Sequence, residues 1–183
     1  MSSFGELPKV IAFDLDGTLW APEMYELWGG GGAPFKATNN GQKVYDRSGT
    51  EVELLGNTRA LLEELSATEA VQDGRCTLAV ASSCDEPSWA RECMRLFRFS
   101  SGKCTMSELL PVQEIYKAAS KAVHFKRIQE KTGSDFEDMI FLDNQMDNIE
   151  AVRRLGVHCV YTPDGVTAEA WSSGLKQWQQ KRG

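Results

Sequence analysis

Residues 10–20 read VIAFDLDGTLW, and this stretch decides the fold. An apolar run predicts a buried strand, which ends in Asp14 and Asp16, two like charges one residue apart. Because their mutual repulsion makes ionisation costly, we expect a cation between them, and one carboxylate can then act as a nucleophile. Gly17 allows a sharp turn, and the hydroxyl of Thr18 can bind a phosphate oxygen or cap that turn. An Asx turn alone would explain an isolated Asp-x-Asp, but the full string makes it the weaker interpretation.

The composition of the 183-residue chain is that of one globular domain. Apolar residues make up 42%, and the formal net charge of −6 without a dense Lys/Arg cluster argues against non-specific nucleic-acid binding. The five cysteines form no Cys-x-x-Cys pair, which disfavours zinc or a disulfide framework and favours reduced thiols inside the cell. Residues 1–8 have no apolar signal core and no long apolar run follows, so we expect a cytoplasmic or nuclear protein without a membrane span.

Apolar strands alternate with helical patterns along most of the chain. This order predicts a Rossmann-like three-layer α/β/α fold, with a central parallel sheet, formed by a single domain over residues 1–183. The predicted strands are 9–14, 77–81, 109–116, 139–143 and 157–161. The predicted helices are 57–67, 87–97, 120–132, the segment that carries 149–155, and 168–179.

Residues 21–55 interrupt this alternation. Four glycines at 29–32 are too flexible for a regular element, and turn signals at 39–41 and 46–49 flank the short run 43–45. We predict a small β-hairpin inserted after the first strand, where it would flank the site and help to select the substrate. A surface hairpin without that role is the alternative.

Polar residues follow two further predicted strands. Ser82 and Ser83 come after the second strand, and Asp143 and Asn144 lie at the end of the fourth. Ligands of parallel sheets bind beyond the carboxyl ends of the strands, so these residues should meet the first motif there. Ser82 precedes a helix and can donate to a phosphate oxygen, although a plain helix cap is the alternative. The oxygen atoms of Asp143 and Asn144 suit a hard cation such as Mg²⁺.

Taken in order, these motifs resemble those of the haloacid dehalogenase superfamily and, in detail, those of the eukaryotic magnesium-dependent phosphatase family. The resemblance covers nearly the whole chain and includes Trp20 after the first motif and the short insertion. Four further strings carry it: SKAVHF at 120–125, KTG at 131–133, FLDN at 141–144 and RLGV at 154–157.

The resemblance implies magnesium-dependent hydrolysis of phosphomonoesters through an aspartyl-phosphate intermediate. Asp14 would be the nucleophile, and Asp16 the general acid/base whose backbone carbonyl also faces the metal. The expected phosphate-binding residues are Thr18, Ser82, Ser83 and Lys121, of which Lys121 neutralises charge. The expected metal ligands are Asp14, Asp16, Asp143 and Asn144.

Two positions depart from the family pattern. Asn144 stands where family members often have a second aspartate, although the related carboxy-terminal-domain phosphatases have Asp-Asn there. Ser83 stands where family members tend to have arginine, which leaves the substrate preference open.

Several functional questions have more than one answer at this point. The substrate is either a phosphorylated small molecule of the sugar-phosphate type or a phosphoprotein, phosphotyrosine included. Hydrolysis of carbon–halogen bonds and a non-catalytic phosphate-binding role are the weaker alternatives. For His124 a packing role is favoured over a role in shaping the site. Asp147 is either structural or part of the site, and Trp28 can contact either substrate or a second copy. We expect a monomer or a weak dimer.

Overall fold

The computed structural model describes residues 4–182. Its strands are β1 (Val10–Phe13), β2 (Trp20–Ala21), β3 (Lys36–Thr38), β4 (Lys43–Tyr45), β5 (Glu51–Leu54), β6 (Thr77–Ser82), β7 (Arg98–Phe99), β8 (Cys104–Thr105), β9 (Val112–Ile115), β10 (Met139–Asp143) and β11 (His158–Tyr161). Its α-helices are α1 (Thr58–Ser66), α2 (Glu69–Gln72), α3 (Pro87–Leu96), α4 (Met106–Leu109), α5 (Lys121–Thr132), α6 (Met146–Arg153) and α7 (Ala168–Gln180).

Five parallel strands form the central sheet in the spatial order β11–β10–β1–β6–β9. All four residues of β1 are buried, because this strand lies in the middle of the sheet and both of its faces are covered. Val10 and Ala12 pack on the face that α5 and α6 cover, whereas Ile11 and Phe13 pack on the opposite face with α1, α3 and α7. The predicted Rossmann-like α/β/α fold is confirmed.

The polar residues at the ends of α5 fix where it begins and ends. The hydroxyl of Ser120 accepts a hydrogen bond from the N–H of Ala122, and Gly133 ends the helix with a φ of 67°. Both residues lie where the sequence predicts the helix limits. The start of α5 is therefore defined locally, which places its first residue, Lys121, at the carboxyl edge of the sheet.

The insertion after β1 is larger than predicted. Instead of a small hairpin, it forms a four-stranded antiparallel sheet in the order β2–β5–β4–β3, which begins at Trp20. The prediction was too small because these strands have only two to four residues, too few for a periodic pattern. Asp46 anchors the glycine stretch, since its carboxylate accepts hydrogen bonds from the N–H groups of Gly32 (2.8 Å) and Thr50 (2.8 Å).

The third predicted strand, 109–116, was too long. Residues 106–109 form α4 instead, because Thr105 and Glu108 make a reciprocal capping box at its start. The strand itself covers Val112–Ile115. The preceding hairpin of β7 and β8 was not predicted at all.

None of the helices within residues 4–182 has the length and hydropathy that crossing a bilayer requires. The five cysteines are free thiols.

Helix α7 packs on β11 through a glycine, which allows a test of the packing. A Cβ atom at Gly174 would overlap Cγ2 of Val160. Replacing glycine by alanine in an open helical position usually stabilises a protein by about 1 kcal/mol. Here we expect the overlap with Val160 to outweigh that gain, so that Gly174→Ala lowers the free energy of unfolding by about 1–3 kcal/mol. Urea unfolding measures this. The control is Ser173→Ala on the exposed side of the same helix, which should be neutral or slightly stabilising. A higher unfolding midpoint for Gly174→Ala would contradict this packing.

Candidate active site

The ends of the central strands surround a cavity of about 410 Å³ at the carboxyl edge of the sheet. Five residues predicted from the sequence line it: Asp14, Asp16, Ser82, Ser83 and Lys121. Six further residues complete the lining: Glu23, Tyr25, Cys84, Asp85, Gln145 and Asn148. The three motifs therefore meet at the edge where the sequence places them.

Lys121 is the buried cation of this site. Its side chain is 1% exposed, and Nζ lies 2.7 Å from Oδ1 of Asp14 and 3.3 Å from Oδ2 of Asp143. Nζ also donates to the carbonyl of Ala81 at 2.9 Å. Burial by itself lowers the pKa of Lys121, but the two aspartates outweigh burial and raise it, so this side chain is an ammonium.

Asp143 lies behind the cavity wall and is fully buried. Its Oδ1 accepts a hydrogen bond from the N–H of Gln145 (2.7 Å), and its Oδ2 accepts one from Nδ2 of Asn148 (3.0 Å). Burial, followed by the charge of Asp14, raises the pKa of Asp143 to about 7 against the opposing effect of Lys121. The N–H of Gln145 and the ammonium of Lys121 thus favour the ionised carboxylate, against burial and the charge of Asp14.

Asp16 is held by the insertion. Its Oδ1 accepts a hydrogen bond from Nε1 of Trp20 (2.6 Å), the first residue of β2, and its Oδ2 accepts one from the N–H of Met24 (3.2 Å). Burial raises the pKa of Asp16 even though these two hydrogen bonds lower it. A raised pKa suits a carboxyl that must donate a proton near neutral pH.

Thr18 and Asn144 contact each other rather than the cavity. The hydroxyl of Thr18 accepts a hydrogen bond from the N–H of Asn144 (3.0 Å), and it lies 3.4 Å from the side-chain Oδ1 of that residue. Neither residue is part of the cavity lining, and Thr18 is fully buried. Gly17, with a φ of +75°, is required here because a Cβ atom would overlap the side chain of Asn144. These residues join the two acidic loops.

The neighbour of Asp143 in the site, Asn148, was not predicted from the sequence. Asp147, the carboxylate in the first turn of α6, is exposed, whereas Asn148 lies against Asp143 and lines the cavity. Glu23, Tyr25 and Asp85 were also missed, because no motif marks the short 3-10 helix that carries Tyr25 or the loops that carry the other two. The one available signal was the helical spacing that places Asn148 on the inner face of α6.

The chemistry of the donor groups fits a hard divalent cation such as Mg²⁺. Four carboxylates line the described cavity, those of Asp14, Asp16, Glu23 and Asp85, against the ammonium of Lys121. Within residues 4–182, no three side chains of Asp, Glu, His or Cys come together as a complete metal-binding group. Mg²⁺ binds through one or two carboxylates and keeps several waters, so the carboxylates at the cavity are sufficient for it without a larger group.

The sequence is similar to that of known phosphatases and hydrolases. A family model described as Acid Phosphatase matches residues 6–181. Magnesium-dependent phosphatase 1 of Homo sapiens is 33% identical over 172 residues, which are 93% of this chain and 86% of the human protein. A HAD-like hydrolase superfamily protein of Schizosaccharomyces pombe is 35% identical over 160 residues, 83% of this chain and 84% of that protein.

Solved structures of similar fold come from more distant proteins. A haloacid dehalogenase-like family hydrolase from Xanthomonas campestris has a TM-score of 0.58 and 12% identity, with 99% of this chain and 96% of the other covered. CbbY from Rhodobacter sphaeroides has a TM-score of 0.57 and 18% identity, with 88% and 89% covered. At these identities the two structures show the shared fold.

Removal of the buried ammonium tests the electrostatics of the site. In Lys121→Met, Asp14 and Asp143 lose their counter-ion, and we expect a loss of about 3–5 kcal/mol in the free energy of unfolding near neutral pH. The pKa of folded Asp143 lies above its unfolded value near 3.9. The folded state therefore holds more protons between these two values, and stability falls as pH rises through that window. Without Lys121 the pKa rises further, so the loss should be larger at about pH 7.5 than at about pH 5.

Urea unfolding in chelator at both pH values measures this effect. Adding Asp143→Asn to Lys121→Met should restore part of the stability. Lys117→Met is the matched control, because Lys117 is exposed and pairs with Asp85 at the cavity rim. A loss in Lys121→Met that is equal at both pH values would contradict the electrostatic account.

Proposed function

We propose that this chain, which belongs to the family described as Acid Phosphatase and, as its motifs predict, to the haloacid dehalogenase superfamily, cleaves phosphomonoesters through an aspartyl-phosphate formed on Asp14. The observation that carries this proposal is the short contact between Lys121 Nζ and Asp14 Oδ1, 2.7 Å, in a buried position at the cavity. The contact orients the Asp14 carboxylate, which is what a carboxylate nucleophile requires.

In the first step a carboxylate oxygen of Asp14 attacks phosphorus in line. The bond between phosphorus and the leaving oxygen breaks, and protonated Asp16 donates its proton to that oxygen. In the second step ionised Asp16 takes a proton from a water molecule, whose oxygen attacks phosphorus. The bond between phosphorus and Asp14 then breaks, inorganic phosphate forms, and both aspartates return to their starting protonation states.

We propose Mg²⁺ as the cofactor. When bound, it supplies positive charge to a phosphate oxygen and reduces the repulsion between two anions. Asp14 lines the cavity and would hold it, together with the backbone carbonyl of Asp16 that the family resemblance implies. Neither Asp143, which is fully buried, nor Asn144, which contacts Thr18, lines the cavity, so we assign these two predicted ligands the weaker claim to direct contact.

We propose that Ser82, Ser83 and Lys121 receive the phosphate. Ser82 is 1% exposed at the end of β6 and lines the cavity beside Ser83. The buried hydroxyl of Thr18 faces Asn144. In this proposal Thr18 therefore supports the loop that follows β10 and does not bind phosphate itself.

The substrate we favour is a phosphorylated small molecule of the sugar-phosphate type, because a cavity of about 410 Å³ is in the usual range for such ligands. A phosphoprotein or phosphotyrosine substrate is the second candidate. It is favoured by Tyr25 and Trp28, which are 42% and 56% exposed with their rings 5.9 Å apart. Nε1 of Trp28 donates to Glu86 (3.0 Å), which fixes the pair beside the cavity. Parallel panels of sugar phosphates and phosphopeptides separate the two.

Location and assembly stay predictions. The five free cysteines favour a reducing compartment, and we propose the cytoplasm or the nucleus. A monomer or a weak dimer is the proposed state.

The reaction class is tested with an aryl phosphate. We expect wild-type protein to release inorganic phosphate with Mg²⁺ and not with chelator, and Asp14→Asn to lose at least about a thousandfold in kcat because the nucleophile is gone. The unfolding midpoint of Asp14→Asn, measured in parallel, controls for folding. Near-normal turnover in this variant would overturn the assignment of the nucleophile.

The role of Asp16 is tested by separating binding from turnover. Asp16→Asn keeps the shape of the side chain but holds no transferable acid proton, so we expect kcat to fall by about 10²–10⁴. The inhibition constant of inorganic phosphate should stay within about threefold of wild type, since this loss is of a transition-state interaction. Equal losses in kcat and in phosphate affinity would point to a binding role instead.

A further inference from the structure

Helix α5 directs two side chains, one turn apart, at two successive carbonyls of β6. Nζ of Lys121 donates to the carbonyl of Ala81 at 2.9 Å, and Nε2 of His124 lies 3.1 Å from the carbonyl of Ser82. The spacing of three residues puts both side chains on the same face of the helix. The end of β6, where Ser82 and Ser83 enter the cavity lining, is therefore held from α5.

His124 also reaches the neighbouring strand end. Its Nε2 lies 2.9 Å from the carbonyl of Tyr116, directly after β9, and its ring stacks on the ring of Tyr116 at 4.4 Å and 9°. The N–H of Tyr116 in turn donates to the carbonyl of Ser82 at 3.1 Å. His124 thus joins the carboxyl ends of β6 and β9 from a fully buried position.

The two partners determine the tautomer of His124. Both are carbonyl oxygens, which only accept, so the proton of the neutral ring lies on Nε2. Nδ1 is buried and has no hydrogen-bond partner within the described chain. A second proton would place an unpaired N–H there, close enough to Lys121 for their charges to repel. Burial and Lys121 lower the pKa of His124, against the two carbonyls and the charge of Glu114 on β9.

We propose that His124 is a positioning residue that fixes the Ser82–Ser83 turn for phosphate, by holding the Ser82 and Tyr116 carbonyls together as a neutral Nε2–H donor. The proposal deepens the proposed function and rests on Ser82 and Ser83 as the phosphate-binding residues. It differs from a packing role in one respect: the N–H donor is required as well as the ring.

Two substitutions separate the donor from the ring. His124→Phe keeps an aromatic ring for Tyr116 but removes the donor, whereas His124→Gln keeps an N–H donor at similar reach. We expect His124→Phe to raise both KM and the inhibition constant of inorganic phosphate by about five- to tenfold, the usual effect of one lost hydrogen bond. In this variant kcat should change less than KM, because the loss is in phosphate binding. His124→Gln should recover most of the affinity.

The tautomer gives a readout that needs no turnover. Since the chain has two histidines, ¹⁵N NMR resolves them, and His158→Gln assigns the remaining signal to His124. We expect His124 to show the neutral Nε2–H pattern at neutral pH and to take up a second proton only below the ordinary pKa of histidine, because burial lowers its pKa. An Nδ1–H pattern, or titration near the ordinary pKa of about 6.5, would overturn the proposal.

The kinetic outcomes are equally decisive. If His124→Phe folds and leaves KM and the inhibition constant of phosphate unchanged, His124 is only a packing residue. The same conclusion follows if His124→Gln weakens phosphate binding as much as His124→Phe does. If His124→Phe fails to fold, the Gln variant and the NMR pattern decide. Absence of phosphate release from wild-type protein would instead overturn the phosphatase mechanism, while the NMR pattern still reports on the positioning contact.

Discussion

One buried ammonium between two buried carboxylates constrains the rest of this structure. Lys121 can contact both Asp14 and Asp143 only if β1 and β10 are neighbours in register, and the N–H of Asp14 does donate to the carbonyl of Leu142 at 3.0 Å. Charges removed from water are costly unless their partners are well placed, so the arrangement requires that the strands and α5 be rigid. The continuous burial of β1 and β10 supplies that rigidity, since every residue of both strands is buried. The sheet and the charge cluster therefore depend on each other.

The three buried carboxylates of the site receive their support from different parts of the chain. Asp14 and Asp143 are ordered by the central sheet and by α5, whereas Asp16 is ordered by Trp20 and Met24 of the insertion. In the proposed mechanism the nucleophile, Asp14, is thus held by the central sheet and α5, and the acid/base, Asp16, is held by the insertion. This division lets the insertion change, and with it the cavity wall, without disturbing the ammonium–carboxylate cluster.

The sequence predicts the elements of this site better than the directions of its side chains. Asp14 and Asp143 could be predicted because a charge at the end of a buried apolar strand is costly unless a partner or a bound cation offsets it. The contact of Thr18 with Asn144 could not, because it depends on the turn at Gly17, where a tertiary contact sets the path of the chain. Likewise the sequence pointed to Asp147 and not to Asn148 as a site candidate. The position along the helical turn, and not the residue type, decides which of the two side chains faces inward. Strands of two to four residues in the insertion carry too little pattern to be predicted individually.

The distribution of charge explains why such a site requires a cation from outside the chain. The ammonium of Lys121 is already shared by Asp14 and Asp143, and the described rim adds Glu23 and the Asp85–Lys117 ion pair. A phosphate dianion entering this cavity would add two further negative charges to a region that is already acidic. In a buried setting this repulsion is only weakly screened by salt. With Asp14 as the proposed metal ligand, phosphate would therefore bind productively only together with the cation, and electrostatics would link the substrate and metal affinities of the site.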